Sequence, residues 1–447
     1  MTMRIGVVGL GRVGLVTAVC LAKKENDVVG IDIDLNRVSD LRKGKTPFFE
    51  PGLDARLKDC LGERSFTPTD NANACSSCEV IFFTVSTPSA PDGSIDLSYL
   101  ESACRTVGKA IQGSSHHPVL VVKSTVIPGT TRNVVKPLVE QHSKKISGKD
   151  IGLCANPEFL REGHAIEDTE RPDRVVIGSD DKDAAAILEG LQRQLTQGVL
   201  HERIISTTLE NAEFIKYASN AFLAMKVSFI NTIANLTERV QGADVPTVAQ
   251  GIGFDARIGP RFLDAGLGWG GSCFPKDLRA LITFGEEHGC ELELMRAAFE
   301  VNLKRPTRVL DFAHTKLGSL KGKRVAVLGL SFKPETDDMR DAVSIPIINQ
   351  LSAEGASVVA YDPQAMKPAK VLFGSRIAYA DDAKSCLRNA DLAVLVTEWM
   401  EFRNLRGQDF VSLMRSPIVF DGRRIYDPAE MQAAGVIFGA IGLGPTA

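Results

Sequence analysis

The segment Arg4-Ile-Gly-Val-Val-Gly9-Leu-Gly11-Arg-Val-Gly14 limits the fold more than any other stretch of the chain. A short apolar strand runs into Gly9-x-Gly11-x-x-Gly14, helical spacing follows, and "DVVGIDID" returns to strand, which together make a βαβ unit. The first glycine allows the tight turn, the second lets backbone approach a pyrophosphate, and the third lets helix and strand close on each other. Asp32 ends the second strand 18 residues after Gly14, where a carboxylate bonds both ribose hydroxyls and repels a 2′-phosphate. The pattern points to a dinucleotide and favours NAD. FAD uses the same fingerprint, and Arg37, five residues past Asp32, keeps NADP open beside its plainer role as an exposed helix residue.

Apolar runs at 79–85, 118–124 and 150–156 extend the unit into a parallel, doubly wound sheet, giving a first domain over 1–206. From Thr208 the character changes. No glycine or proline occurs until Gly242, which predicts a helix of about 45–50 Å at 1.5 Å per residue, apolar on more than one face. Such a helix is buried between domains or against another subunit, and it centres a helical domain over 207–315. At "KRVAVLGLSFK" a second α/β pattern begins and fills 316–447. "VVGLGRVG" is answered by "AVLGLSFK", a diverged duplicate without the later glycines and therefore adapted to another ligand. The expected fold is α/β, with two Rossmann-like doubly wound domains joined by a helical domain with a long central helix.

A hydrophobic content of 44%, 24% charged residues and a net charge of −3 describe a chain that folds throughout and has no global field for nucleic acid or an anionic membrane. Anionic ligands must then be held by local basic residues. No apolar run approaches the roughly 20 residues of a membrane span, and the N-terminus enters a strand without a basic region or cleavage site, so a cytoplasmic protein is expected. Nine cysteines form no secreted disulfide framework. Cys75-x-x-Cys78 has no second pair or nearby histidine and reads as core rather than redox chemistry, while His116-His117 is isolated. No metal site is indicated.

One cysteine stands apart, in "GWGGSCFPKD". Ser272 suits a helix N-cap and Pro275 the first turn, which places Cys273 at a helix N-terminus, where the dipole favours thiolate. Lys276 and Asp277 share its face. The plain reading is a small residue in a crowded loop, but seven glycines between Gly251 and Gly271 allow close approach to a ligand and favour a nucleophile. Lys216 and Asn220, four apart in apolar "FIKYASNAFLA", can together stabilise an oxyanion. Glu158 and Glu162 in "NPEFLREG" share a face if that segment is helical, and one of them can activate water.

These segments, with "EPGL", "VSTPS", "KSTVIPGTT" and "LGLSFKPETDDMRD" in order, resemble the UDP-glucose 6-dehydrogenases within the UDP-glucose/GDP-mannose dehydrogenase family, over essentially the whole chain. The resemblance implies a four-electron oxidation of UDP-glucose at C6, through aldehyde and thioester, reducing two NAD. Cys273 would carry the thiohemiacetal and thioester, and Lys216 and Asn220 would stabilise oxyanions. Asp277 with Thr125 and a water would move protons, and Glu158 would serve hydrolysis. The resemblance assigns Gly9, Gly11, Val13, Gly14, Asp32, Arg37, Ser86, Thr87, Thr125, Glu162, Lys276 and Arg340 to the cofactor. It gives Glu158, Phe159, Leu160, Lys216, Asn220, Arg257, Phe262, Leu263, Gly270, Phe332, Lys333 and Arg423 to the nucleotide sugar. Arg257 matches an arginine that reaches the substrate from a neighbouring subunit, so a homodimer through the long helix is expected. Ser86 departs from the asparagine of many relatives.

Four alternatives compete. GDP-mannose 6-dehydrogenases share the chemistry but tend to have leucine at Phe274, and UDP-N-acetyl-hexosamine dehydrogenases fit less well. A two-electron β-hydroxyacid dehydrogenase needs neither the cysteine nor the second α/β domain. A noncatalytic nucleotide-sugar or NAD sensor would keep the glycines and lose the Cys, Lys and Asp set.

Overall fold

The computed structural model describes residues 2–196 and 203–445. The chain packs as two compact units, Met1–Ser219 and Asn220–Ala447, and the division falls inside the long helix Leu209–Thr237.

In the first unit, eight strands form one sheet. They are β1 (Arg4–Val8), β2 (Asp27–Ile31), β3 (Phe66–Thr69), β4 (Val80–Phe83), β5 (Val119–Val122), β6 (Gly152–Ala155), β7 (Val175–Gly178) and β8 (Ile204–Thr207). Their order is β3-β2-β1-β4-β5-β6-β7-β8, so the first six follow the dinucleotide-binding order that places a ligand crevice at the switch beside β1. All neighbours are parallel except β6 and β7, which pair antiparallel at Ala155 and Gly178. Strands such as Val80–Phe83 and Val119–Val122 are buried at every residue because helices cover both faces, which is why they read as continuous apolar runs. The opening helix Arg12–Ala22 is buried from Gly14 onward.

The second unit holds β9 (Arg324–Leu328), β10 (Ser357–Tyr361), β11 (Ala378–Tyr379), β12 (Leu392–Leu395), β13 (Ile418–Asp421) and β14 (Ile437–Ala440). Their order, β11-β10-β9-β12-β13-β14, is parallel throughout and repeats that of β1 to β6, so the duplication read from "AVLGLSFK" is present in the topology. Helices Val245–Gly253, Phe274–Glu287, Glu293–Lys304 and Thr307–Leu317 precede this sheet, and Ile230, Leu263, Leu267 and Val309 join one core with its inner face.

The long helix stops at Thr237, short of Gly242. The Thr237 hydroxyl donates to the Gly442 carbonyl at 2.9 Å, and Gly242 N–H donates to the Pro445 carbonyl at 3.1 Å. The chain's last residues therefore supply the partners that end the helix, which local sequence does not reveal.

Candidate functional site

The cofactor crevice of the first unit is built by its glycines. Gly9 has φ of +95°, and a Cβ on Gly14 would lie 1.8 Å from the Gly9 carbonyl oxygen, so neither position accepts another residue. A Cβ on Gly11 would meet nothing within 4 Å, and Gly11 caps the opening helix with no side-chain hydrogen bond. Open space thus lies over an uncapped helix N-terminus, which is what a pyrophosphate requires. Asp32, buried, accepts from Leu10 N–H at 2.7 Å, Asp34 N–H at 2.9 Å and the Arg37 guanidinium at 2.9 Å. Arg37 is thereby held on a carboxylate that a 2′-phosphate would have to face, so the site fits NAD better than NADP. Ile33, next in sequence and 86% exposed, is an apolar surface suited to an adenine face, and it carried no motif signal.

Around this crevice the loops lock one another. Thr87 donates to the Thr125 carbonyl at 2.8 Å and Ser124 to that of Val85 at 2.7 Å, which fixes the turn that carries Ser86 and Thr125. Ser86 is exposed, Thr125 and Val13 half-buried. Glu162 lies 3.6 Å from Arg12 at the start of the opening helix. Its loop is anchored by Glu50, whose carboxylate accepts from Gly163 N–H and Ala165 N–H at 2.8 Å each. Glu50 belongs to "EPGL", where nothing in the sequence assigned it a task.

Residues 156–163 are not helical, so Glu158 and Glu162 diverge instead of sharing a face. Glu158 turns into the unit and meets Lys216 of the long helix at 3.0 Å, with side-chain exposures of 6% and 4%. Its second oxygen accepts from Leu160 N–H at 2.5 Å. Burial pushes the Glu158 carboxyl up, but Lys216, the Leu160 N–H and Lys123 more than offset it and leave the group below its usual range. The Phe159 ring is covered by Arg174 at 3.6 Å and has the Lys216 ammonium 5.4 Å from its centroid. Leu160 is half-buried.

In the second unit Cys273 itself, not Ser272, is the N-cap of helix Phe274–Glu287, with Pro275 in the first turn. The Ser272 hydroxyl sits 3.6 Å from its sulfur instead of capping the helix. Asp277 N–H donates to the Cys273 carbonyl at 2.8 Å, closing the first turn. The Asp277 carboxylate, 1% exposed, accepts from Asn220 at 2.6 Å and from Lys276 at 2.7 Å. Of nine free cysteines seven are buried, and only half-buried Cys273 and exposed Cys290 are open to a ligand. Cys75 and Cys78 are buried and their thiols pushed up by burial, Cys78 to about 11, which suits core residues.

The glycines before the thiol differ in their surroundings. A Cβ on Gly270 would lie 2.3 Å from the Asp341 carbonyl oxygen and one on Gly271 2.7 Å from the Phe332 ring, so both are needed for protein packing, whereas one on Gly251 or Gly259 would meet nothing within 4 Å. The segment has no regular structure, and side chains satisfy its backbone. Asn231 accepts from Gly266 N–H at 2.8 Å, Arg305 donates to the Gly266 carbonyl at 2.9 Å, and Asn302 bonds Trp269 at both N–H and carbonyl, at 2.7 and 2.9 Å.

Arg423 reaches the Gly268 carbonyl at 3.3 Å and Glu398 at 3.4 Å, while Lys333 lies 5.9 Å from the centroid of the Phe332 ring. Arg340 is paired with Asp338 at 2.6 Å. Leu263 is buried, Phe262 holds a φ of +64°, and the Arg257 side chain, 89% exposed, pairs with Asp255 at 2.6 Å. Among the described residues no group of three or more His, Cys, Asp or Glu could hold a metal, and no helix is long and apolar enough to cross a membrane.

One unit carries a doubly wound sheet with an open glycine turn and a buried carboxylate at the end of its second strand, and the other a second doubly wound sheet and an accessible thiol, features that together define a dinucleotide-dependent oxidoreductase. The chain belongs to the UDP-glucose/GDP-mannose dehydrogenase family: its NAD binding domain matches residues 3–196, its central domain 210–304 and its UDP binding domain 326–428. It is 42% identical over 440 residues to UDP-glucose 6-dehydrogenase TuaD of Bacillus subtilis, covering 98% of this chain and 93% of that protein. The structure of a UDP-glucose dehydrogenase from Pyrobaculum islandicum superimposes with a TM-score of 0.91 at 36% identity, covering 99% of this chain and 98% of that one. A GDP-mannose dehydrogenase ternary complex from Pseudomonas aeruginosa gives 0.56 at 32% identity, covering 98% and 100%.

Proposed function

We propose that this chain oxidises UDP-glucose at C6 to UDP-glucuronate, consuming two NAD and one water and releasing two NADH. The observation that carries the reading is the Cys273 thiol at a helix start one turn from the buried Asp277, which an alcohol dehydrogenase stopping at the aldehyde has no use for. The relatives that act on UDP-glucose support the base and the sugar.

NAD, when bound, accepts the hydride at each of the two oxidations. Gly9, Gly11, Gly14 and Asp32 hold its pyrophosphate and ribose. The Cys273 sulfur adds to the C6 aldehyde, forming a C–S bond, and the oxygen that becomes anionic is stabilised by Lys216 and Asn220. After the second oxidation the C6 carbon is a thioester. Glu158 takes a proton from the attacking water, the C–S bond breaks, and the sulfur leaves as thiolate, restoring Cys273. Asp277, with Asn220 and Lys276 on its oxygens, is fixed to exchange protons beside the thiol, with Thr125 assisting. Lys333, Arg423 and the 254–266 loop hold the nucleotide sugar.

The labour divides over 1–206 for NAD, 207–315 for the helical and dimerising part and 316–447 for the UDP-sugar, a division supported by the three family segments. A homodimer is supported by Phe222, Phe229 and Leu236 on the long helix, which recur every seventh residue and are 56%, 52% and 61% exposed. The protein acts in the cytoplasm.

The test is a panel of UDP-glucose, UDP-galactose, GDP-mannose and UDP-N-acetylglucosamine with NAD and NADP, following NADH and sugar consumed. UDP-glucose with two NADH per sugar is expected. One NADH with release of a free aldehyde would overturn the thioester route, and a preference for GDP-mannose would overturn the substrate.

A further inference from the structure

The first unit buries a second ammonium that the proposed chemistry leaves unused. Lys123 follows β5 directly, at the strand ends that face ligands in sheets of this kind, and is only 8% exposed. Its Nζ donates to the Asn156 side-chain oxygen at 3.2 Å, and it makes no ion pair among the described residues. Asn156 is held to present that oxygen: its amide nitrogen donates to the Val176 carbonyl at 2.8 Å, and Gln192 donates to the same oxygen at 3.0 Å. Two residues further on, Glu158 meets Lys216. Lys123, Lys216 and Glu158 thus form a buried cluster of two ammonium groups and one carboxylate, and the charge of Lys123 acts on both of the others. Arg174 faces the same region over the Phe159 ring, with Asp173 beside it. A buried cation with only an amide partner is costly, and the fold does not need it for hydrogen bonding, because Gln192 already supplies Asn156 with a donor.

We propose that Lys123 is a positioning residue for the reaction: its ammonium, fixed on Asn156, keeps the Glu158 carboxylate in the charged form that thioester hydrolysis uses. This rests on the function proposed above. Without the second cation, burial of Glu158 is opposed by Lys216 and the Leu160 N–H alone, and protonation sets in at higher pH.

The experiment is the pH dependence of kcat for the full-length enzyme with UDP-glucose and NAD, in wild type, Lys123→Gln and Lys123→Arg. Glutamine keeps a donor for Asn156 and removes the charge, whereas arginine keeps the charge. The acid limb of Lys123→Gln is expected to move up by about one pH unit, with activity below that limb falling about tenfold, while Lys123→Arg stays with wild type. An unmoved limb in Lys123→Gln, or an equal displacement in Lys123→Arg, overturns the proposal. So does loss of the folded state in Lys123→Gln, since the lysine would then serve the fold. Absence of NADH formation in wild type would instead sink the underlying function.

Discussion

Glu158 is the residue at which the chemistry divides. Paired with Lys216 and kept below its usual range, it is available as a base at neutral pH, and in the proposed reaction only the hydrolytic step calls on it. Glu158→Gln should therefore complete both oxidations once and then stop: rapid mixing should show a burst of about two NADH per site, followed by slow turnover, with the sugar retained on Cys273 by intact-mass measurement. Steady turnover without a burst would assign hydrolysis elsewhere. Lys123 makes a prediction about stability. Burial lowers its ammonium from 10.5 to about 8, opposed by Glu158 and reinforced by Lys216. Between those values the unfolded chain still holds a proton that the folded one has released, so stability rises with pH through the window and is lost as pH falls toward 8. Urea titrations at pH 8 and 10.5 should find wild type gaining about 3 kcal/mol relative to Lys123→Met, whose side chain does not titrate.

At the scale of elements, the Cys273 thiol proposed to react is delivered by a loop without secondary structure of its own. Asn302, on helix Glu293–Lys304, pairs with Trp269 as a neighbouring strand would, accepting from its N–H and donating to its carbonyl. Asn302→Ala leaves both groups without that partner and lets the segment before Cys273 shift. A fall in kcat of about 10- to 100-fold is expected, with little change in KM for NAD. The rate of Cys273 alkylation should change relative to exposed Cys290 in the same molecule, a ratio that simple destabilisation of a still-folded protein would not alter. Such contacts explain the limits of reading this chain by sequence. The glycine turn, Asp32 and the all-buried strands were legible because local spacing specifies them. Strand β3, "FTPT", was not, since it carries a proline and alternates buried with exposed residues. Glu158 and Lys216 were each singled out, but their pairing across 58 positions is a tertiary fact. Asn231 and Asn302 lie in ordinary helical runs and Arg305 just past the end of one, and only the fold reveals what they hold.

Across the whole molecule, the duplicated sheets have kept geometry and parted in chemistry. Gly9 N–H donates to the Ile31 carbonyl and Gly329 N–H to that of Tyr361, both at 2.8 Å, and Asp32 and Asp362 each accept a loop N–H at 2.7 Å. Asp362, however, also takes Ser331 N–H and hydroxyl at 3.0 Å and the Trp399 indole at 3.1 Å, and the next helix is delayed to Ser344. That site has lost both the ribose acceptor and the helix start that bind a dinucleotide. The proposed dimer adds a dependence that neither sheet can supply. Arg257 stands almost fully exposed, and if it serves the site of a second copy, each active site needs residues from two chains. Arg257→Ala and Cys273→Ala homodimers should both be inactive, one lacking the arginine and the other the thiol. Unfolded together and refolded at equal ratio, they should recover about a quarter of wild-type turnover, since half of the dimers are mixed and each mixed dimer has one complete site. Phe222→Glu with Phe229→Glu should abolish that recovery and sediment as a monomer. Recovery that survives in the monomer, or an Arg257→Ala enzyme with full activity, would place the arginine outside the reaction.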